Sequence, residues 1–219
     1  MRPGTVNLRS FHIGVDLGQR VDHTAFVVVE QSVVVTARMD RIHFDYERER
    51  RMCVRMVERV ALGSGFDAVA AELERLTQCE ELRGGTVTTT VDGTGIGSVV
   101  TEDLRKRRLR GELFPVVITG GLRDGYQKGF FTTPRTELLL GVERALEQQG
   151  LEVAGDLPMW GALKEEMAGM RKVQTVRGPR YETLGRHDDL VFALALALFG
   201  VRMRVLPVEG EAVRRRRGF

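Results

Sequence analysis

The chain has 219 residues, 42% of them hydrophobic and 29% charged, with a formal net charge of +3, as is typical of a soluble globular protein with a sizeable core. The apolar run over residues 190–199 is about half the ~20 residues of a membrane-spanning helix, and the N-terminus has no hydrophobic signal region. Cys53 and Cys79 lack CxxC spacing and are expected to be free thiols. We therefore expect a cytoplasmic protein with no membrane partner.

The first part of the chain is predicted to form an antiparallel meander of three strands. Residues 11–18 read as an apolar strand that ends in Asp16 and a glycine turn. Residues 24–31 and 32–40 are two further β-branched segments, and the short polar link between them predicts a hairpin.

Helices and strands are predicted to alternate through the rest of the chain. Apolar residues at helical spacing predict helices over residues 46–62, 66–82, 96–108, about 157–170 and from Asp189 onward. Thr133 and Pro134 are expected to cap and open another helix, which reaches about residue 149. Strands are expected over residues 86–92, 114–121 and about 151–155, and residues 171–185 form either a hairpin or a loose basic loop.

This order of elements indicates an α/β fold with a mixed sheet, antiparallel at first and then parallel, flanked by helices. We expect one domain over residues 1–206 and a flexible basic tail over residues 207–219.

Carboxylates stand at comparable points of this predicted fold. Asp16 ends the first strand, Asp92 ends a later strand, and Asp188 and Asp189 open the last helix. In α/β folds such positions meet at one edge of the sheet, where sites are found. Each aspartate also has a structural interpretation, because Asp-Gly is a common turn dipeptide and Asp is a favoured helix N-cap.

The adjacent carboxylates before the last helix need positive charge near them, because they otherwise repel each other. Two Mg²⁺ or Mn²⁺ ions would supply that charge, and a pair of such ions can activate a water and stabilise the leaving oxygen of a phosphodiester. The pattern therefore indicates a two-metal site as the functional alternative to turns and capping.

Three segments, GVDLGQRVDHTAFVVVE, TVDGTGIGSVV and HDDLVFALALALF, resemble the nuclease domain of the phage terminase large subunit, within the ribonuclease H-like superfamily. The resemblance extends over about residues 11–201, and HDD before an apolar helix is its most specific element. It implies a ribonuclease H-like fold and a two-metal DNA endonuclease that cuts concatemeric phage DNA during genome packaging, in the host cytoplasm if the chain is phage-encoded.

By this resemblance, the catalytic metal ligands are Asp16, Asp92, Asp188 and Asp189, with Asp188 favoured over Asp189 for direct ligation. His187 would orient a phosphate or support the ligands, or it is an ordinary polar residue at a helix start. The cofactor implied is two ions of Mg²⁺ or Mn²⁺.

The chain departs from full-length terminase large subunits in one respect. None of its four lysines lies in a GxxxxGK[ST] pattern, so the packaging ATPase motif is missing. We therefore expect an excised domain, a separate gene product or a prophage remnant. A separate packaging ATPase, a small terminase subunit and a portal are candidate partners.

Double-stranded DNA is the expected substrate, and clustered basic residues are expected to contact its phosphates. These residues are Arg105, Lys106, Arg107, Arg108, Arg171, Lys172, Arg177 and Arg180. The alternative for each cluster, including residues 214–217, is a solvated surface or a disordered tail.

Other functions remain open at this point. A Holliday-junction resolvase-like nuclease would share the fold and the metals but prefer branched DNA. A non-catalytic nucleic-acid-binding module would keep the fold without turnover. GVDLG and VDGTG also resemble the phosphate loops of actin-like sugar kinase and chaperone ATPases, which need two such domains and have no use for HDD.

Overall fold

The computed structural model describes residues 3–18, 22–41, 44–95, 97–147, 150–175, 178–185 and 187–204, and its main feature is a mixed sheet of eight strands. The strands are β1 (Val6–Asp16), β2 (Ala25–Asp40), β3 (Asp45–Arg59), β4 (Thr86–Asp92), β5 (Glu112–Thr119), β6 (Gly125–Gln127), β7 (Phe130–Pro134) and β8 (Leu151–Val153). Their order across the sheet is β6-β7-β5-β4-β1-β2-β3-β8. A separate hairpin consists of β9 (Met170–Thr175) and β10 (Gly178–Thr183).

The strand directions confirm the predicted α/β class with a mixed sheet. β1, β2 and β3 form an antiparallel meander, and β4 and β5 continue from β1 in parallel. Helices flank the sheet: α1 (Phe66–Gln78), α2 (Gly97–Lys106), α3 (Arg135–Glu147), α4 (Trp160–Ala168) and α5 (Asp189–Met203). One core lies between the sheet and α3, α4 and α5, and a second lies between the sheet and α1 and α2.

The predicted hairpin within residues 24–40 is wrong, because these residues belong to the single strand β2. The polar residues from Glu30 to Ser32 continue the ladder with β3 instead of turning. Glu30 is tolerated there because its buried carboxylate forms an ion pair with Arg9 at 2.7 Å and accepts a hydrogen bond from Arg55 at 2.6 Å.

The predicted helix over residues 46–62 is also wrong, because this segment forms β3. A β-bulge in the ladder between β2 and β3 produced the helix-like spacing: Val29 pairs with Val54 and Val28 with Met56, which leaves Arg55 as an extra residue. Before the bulge, the even-numbered residues Met52 and Val54 of β3 face the α5 side of the sheet. After the bulge, the odd-numbered Val57 faces that side. The same shift brings Arg59 to that side.

Smaller differences concern the ends of elements. Thr133 and Pro134 end β7, and α3 begins at Arg135, one residue later than predicted. α2 is shorter than predicted and begins at Gly97, and α4 is confined to Trp160–Ala168. Residues 171–185 contain the hairpin β9–β10, which was one of the two predicted alternatives.

The position of α5 on the sheet depends on Gly14 in β1. A Cβ atom on Gly14 would lie 1.8 Å from the carbonyl oxygen of Ala193 and 2.4 Å from the amide nitrogen of Ala197. The backbone of α5 therefore rests directly on β1. Since Asp16 follows Gly14 on the same face and Asp189 precedes Ala193 by about one turn, this contact sets the first turn of α5 beside the end of β1.

In the described part of the chain, no helix is long and apolar enough to cross a membrane. Cys53 and Cys79 are free thiols, as predicted. The predicted tail over residues 207–219, with its basic cluster, lies outside the described residues, as does Arg177.

Candidate active site: an acidic cleft

The aspartates predicted from the sequence lie around one cleft. β1 and β4 pair in parallel up to the residue before Asp16 and Asp92, so these two side chains stand at equivalent strand ends. Asp188 and Asp189 come from the start of α5, beside the same edge. All four line an open cleft of about 280 Å³, together with Asp22, Arg135, His187 and neighbouring apolar residues.

The surroundings of Asp16 in this cleft disfavour its charged form. Burial raises the pKa of its carboxyl group well above the usual value, the neighbouring charges of Asp92, Asp188 and Asp189 raise it further, and Arg135 lowers it. The described residues donate no hydrogen bond to its carboxylate. A bound cation would relieve both the repulsion and the lack of donors.

Asp92 both closes a turn and lines the cleft. Its Oδ1 accepts the backbone N–H of Thr94 at 2.8 Å, which closes an Asx turn after β4. Burial raises the pKa of the Asp92 carboxyl group, and the bonds from Thr94 oppose this effect. Gly97 lets α2 begin directly beside this turn, because a Cβ there would lie 2.2 Å from the Asp92 carbonyl oxygen.

Asp188 occupies the N-cap position of α5, but its side chain makes no capping bond. Its Oδ2 accepts instead from Nη2 of Arg135 at 2.7 Å and from the Thr183 hydroxyl at 3.0 Å. A residue of α4 bonds the first turn of α5 instead: Oε2 of Glu166 accepts the backbone N–H of Val191 at 3.0 Å. Side-chain capping therefore does not account for the carboxylate of Asp188.

Asp189 is held in a buried ionic cluster. Arg59 donates from Nε to Oδ2 of Asp189 at 2.6 Å and from Nη2 to Oδ1 at 3.3 Å, and it also pairs with Glu166. Burial raises the pKa of Glu166 to about 7, against the bond from Val191 and the charge of Arg59. Asp189 thus joins β3, α4 and α5, while Asp188 is the more exposed of the pair, at 35% against 6%.

His187 lies at the cleft without a bond to the carboxylates. Its Nδ1 is buried, has no hydrogen-bond partner among the described residues and stands 3.9 Å from Oδ1 of Asp189, which is too long for a hydrogen bond. The rings of His187 and His23 meet edge to face, with centroids 6.0 Å apart. His23 is fixed in turn by donating to the Val60 carbonyl oxygen at 3.1 Å.

Sequence reasoning did not single out Arg59, Arg135 or Glu166. Arg59 was placed in a predicted helix, and only the bulge in β3 turns it toward α5. Glu166 differs from its neighbour Glu165 by burial alone, which the sequence does not mark. Arg135 had a usable signal, because it follows a strand end on the carboxyl side of the sheet, where site residues gather.

The predicted DNA-contacting residues near the end of α2 lie away from the cleft edge. α2 starts just after Asp92 and is about 15 Å long, so its last residues are remote from that edge. Arg107 pairs with Asp67 and Asp103, and Arg105 bonds the Gly129 carbonyl oxygen at 2.8 Å. Lys106 and Arg108 are exposed.

The hairpin β9–β10 carries Arg171, Lys172 and Arg180 and reaches the cleft at its base, where Thr183 bonds Asp188. Arg171 and Arg180 are exposed on it. Lys172 is bonded to both carboxylate oxygens of Glu143 on α3, at 2.9 and 2.8 Å. The hairpin is therefore docked against α3 on one side and the cleft on the other.

The donor set fits hard divalent cations, which prefer carboxylate oxygens and water. Within the described ranges, no three Asp, Glu, His or Cys side chains are already gathered into a metal-binding group. Asp16 nevertheless has no donor, and both bonds to Asp188 end on one of its oxygens. A cation bound here would meet the positive charge of Arg135 at Asp188.

Comparison of the chain with protein-family models, with curated proteins and with solved structures gave no match. The fold and the site together define an α/β protein with an acidic cleft at the carboxyl edge of a mixed sheet.

Proposed function

We propose that this chain is a metal-dependent DNA endonuclease with a ribonuclease H-like fold, similar to the nuclease domain of the phage terminase large subunit. The observation that carries this proposal is the meeting of Asp16, Asp92 and Asp188 in one cleft, with a strongly raised pKa at Asp16. Perturbed carboxylates converging in a cleft are typical of functional sites. The antiparallel meander followed by parallel strands is the sheet that the resemblance implies.

Asp16, Asp92 and Asp188 are the residues that would hold Mg²⁺ or Mn²⁺ ions, which activate a water and stabilise the leaving oxygen of a phosphodiester. Asp16 supplies a half-buried carboxylate without donors, and Asp92 is fixed by its turn. Asp189 holds the start of α5 through Arg59 rather than facing a metal. His187 lines the cleft with a partly exposed ring, which would orient a phosphate or support the metal ligands.

A second candidate is a non-catalytic nucleic-acid-binding module of the same fold. The observation that favours it is that arginines engage both aspartates at the start of α5 and so offset their charge without a metal ion. This candidate predicts DNA binding without cleavage and without specific metal binding.

Plasmid cleavage with Mn²⁺ or Mg²⁺ tests the proposal. The parent chain should nick and linearise the plasmid, EDTA should abolish this, and Asp92→Asn should reduce it at least about a hundredfold. Asp156→Asn is the matched control, because Asp156 is exposed, lies outside the cleft and has a positive φ that Asn tolerates. Metal-independent cleavage, or equal activity of parent chain and Asp92→Asn, would refute the proposal.

The substrate distinguishes the related candidates. Preference for four-way junctions over linear duplex would identify a resolvase-like nuclease. Binding of duplex DNA without cleavage by either metal form would favour the non-catalytic module. Thermal stabilisation by ATP would instead support the actin-like interpretation.

A further inference from the structure

Arg135 places a positive charge among the carboxylates of the cleft. Its Nη2 donates to Oδ2 of Asp188 at 2.7 Å, and its guanidinium carbon lies 4.1 Å from the centre of the Phe192 ring. The same charge opposes the raised pKa of Asp16. The side chain is 46% exposed, so the guanidinium is accessible from the mouth of the cleft.

The two arginines that engage the start of α5 differ in how firmly they are held. Arg59 is 19% exposed and bonds both oxygens of Asp189 as well as Glu166. Arg135 makes one ion pair, to a partner that is itself 35% exposed. Pairs of this partly exposed kind contribute little to stability, so the bond between Arg135 and Asp188 is exchangeable.

We propose that Arg135 is a phosphate-binding residue that occupies Asp188 in the metal-free protein and moves to a DNA phosphate oxygen when Asp188 binds a divalent cation. This inference rests on the proposed nuclease function. The planar guanidinium is well suited to phosphate oxygens, and the Phe192 ring supports it at the cleft wall in either position. The exchange forms and breaks no covalent bond.

Metal affinity without DNA tests the first half of the exchange. Arg135→Gln should bind Mn²⁺ about three- to tenfold more tightly than the parent chain in calorimetric titration, because it removes a competing cation from the cleft. A residue with only a structural role would leave affinity unchanged or lower it.

Arg202→Gln is a matched control in a nearly identical setting. Arg202 bonds Asp124 at 2.8 Å and lies 4.8 Å from the ring of Phe199, but it stands at the other end of α5 and outside the cleft lining. Its substitution should leave Mn²⁺ affinity as in the parent chain.

The second half of the exchange, the move of Arg135 to a phosphate, is tested by measuring the binding of a short blunt DNA duplex in the presence of Ca²⁺. Arg135→Gln should bind about three- to tenfold more weakly, and its slope of log affinity against log salt should be smaller by about one. Arg135→Lys keeps the charge and should keep the slope, which shows that a charged contact rather than the fold was lost.

The outcomes separate this inference from the proposed function. If the parent chain binds Mn²⁺ but Arg135→Gln matches it in Mn²⁺ affinity or in salt slope, the inference alone is overturned. If the parent chain binds no Mn²⁺, both the proposed function and the inference fail. Tighter Mn²⁺ binding together with the smaller slope supports the inference.

Discussion

Gly14 of β1 and Ala193 of α5 are in direct backbone contact: a Cβ on Gly14 would stand 1.8 Å from the Ala193 carbonyl oxygen. The helix that supplies Asp188 and Asp189 is therefore seated on the strand that supplies Asp16. The geometry of the acidic cleft follows from this packing.

Gly14→Ala is expected to lower the free energy of unfolding by about 3 kcal/mol, because the added methyl group meets backbone that cannot turn aside. Urea unfolding measures this. Gly141→Ala in α3 is the control, since its Cβ would meet nothing within 4 Å, and it should add up to about 1 kcal/mol from helix propensity. Equal midpoints for the parent chain and Gly14→Ala would contradict the packing described here.

Asp16→Asn should raise the free energy of unfolding in the absence of metal. The folded state raises the pKa of Asp16, so the ionised carboxylate destabilises the fold at neutral pH and a neutral amide removes that cost. Thermal unfolding with and without Mn²⁺ provides the check: Mn²⁺ should stabilise the parent chain and not the variant. A lower melting temperature for Asp16→Asn without metal would show that the carboxylate stabilises the fold.

Glu166→Ala should cost about 3 kcal/mol, because Arg59 loses a buried partner and the N–H of Val191 loses its acceptor. Glu166→Gln keeps an acceptor for Val191 and should cost less. Glu165→Ala, at an exposed neighbouring position of α4, should change stability by less than about 0.5 kcal/mol. Chemical denaturation compares the three variants, and equal costs at positions 165 and 166 would exclude the bridging role.

His12 should make the fold sensitive to mild acid. It is fully buried, and desolvation lowers its pKa from 6.5 to about 4. Between about pH 6.5 and pH 4 the unfolded chain binds the proton and the folded chain does not, so stability falls as pH falls, by about 3 kcal/mol in total. The difference in unfolding free energy between the parent chain and His12→Gln should slope through this window and be flat above it. A difference that stays constant down to pH 4 would rule this out.

The sequence predicted the aspartates of the site because strand ends and helix starts are local features. Asp16 and Asp92 follow apolar segments, and HDD precedes an apolar helix, so neighbouring residues alone mark them. Neighbouring residues alone could not decide whether the side chain of Asp188 caps α5. It depends on Glu166, which is distant in the chain and reaches α5 only because α4 packs against it.

The two incorrect secondary-structure predictions, the hairpin within residues 24–40 and the helix over residues 46–62, have a common cause. The residues from Glu30 to Ser32 look like a turn unless their partners Arg9 and Arg55 are known, and β3 looks helical because a bulge interrupts its alternation. Ion pairs between strands, like β-bulges, depend on which strands lie next to each other in the sheet. A local sequence pattern does not contain that information.

By itself, the sequence determined the α/β class with a mixed sheet and the placement of carboxylates at the ends of β1 and β4 and the start of α5, because periodicity and turn chemistry act over a few residues. Only the tertiary structure decided which cations meet those carboxylates. Arg59 reaches Asp189 through a bulge, and Arg135 reaches Asp188 from the start of α3. Long-range packing sets the charge balance of the cleft, because burial and pairing depend on every element that surrounds it.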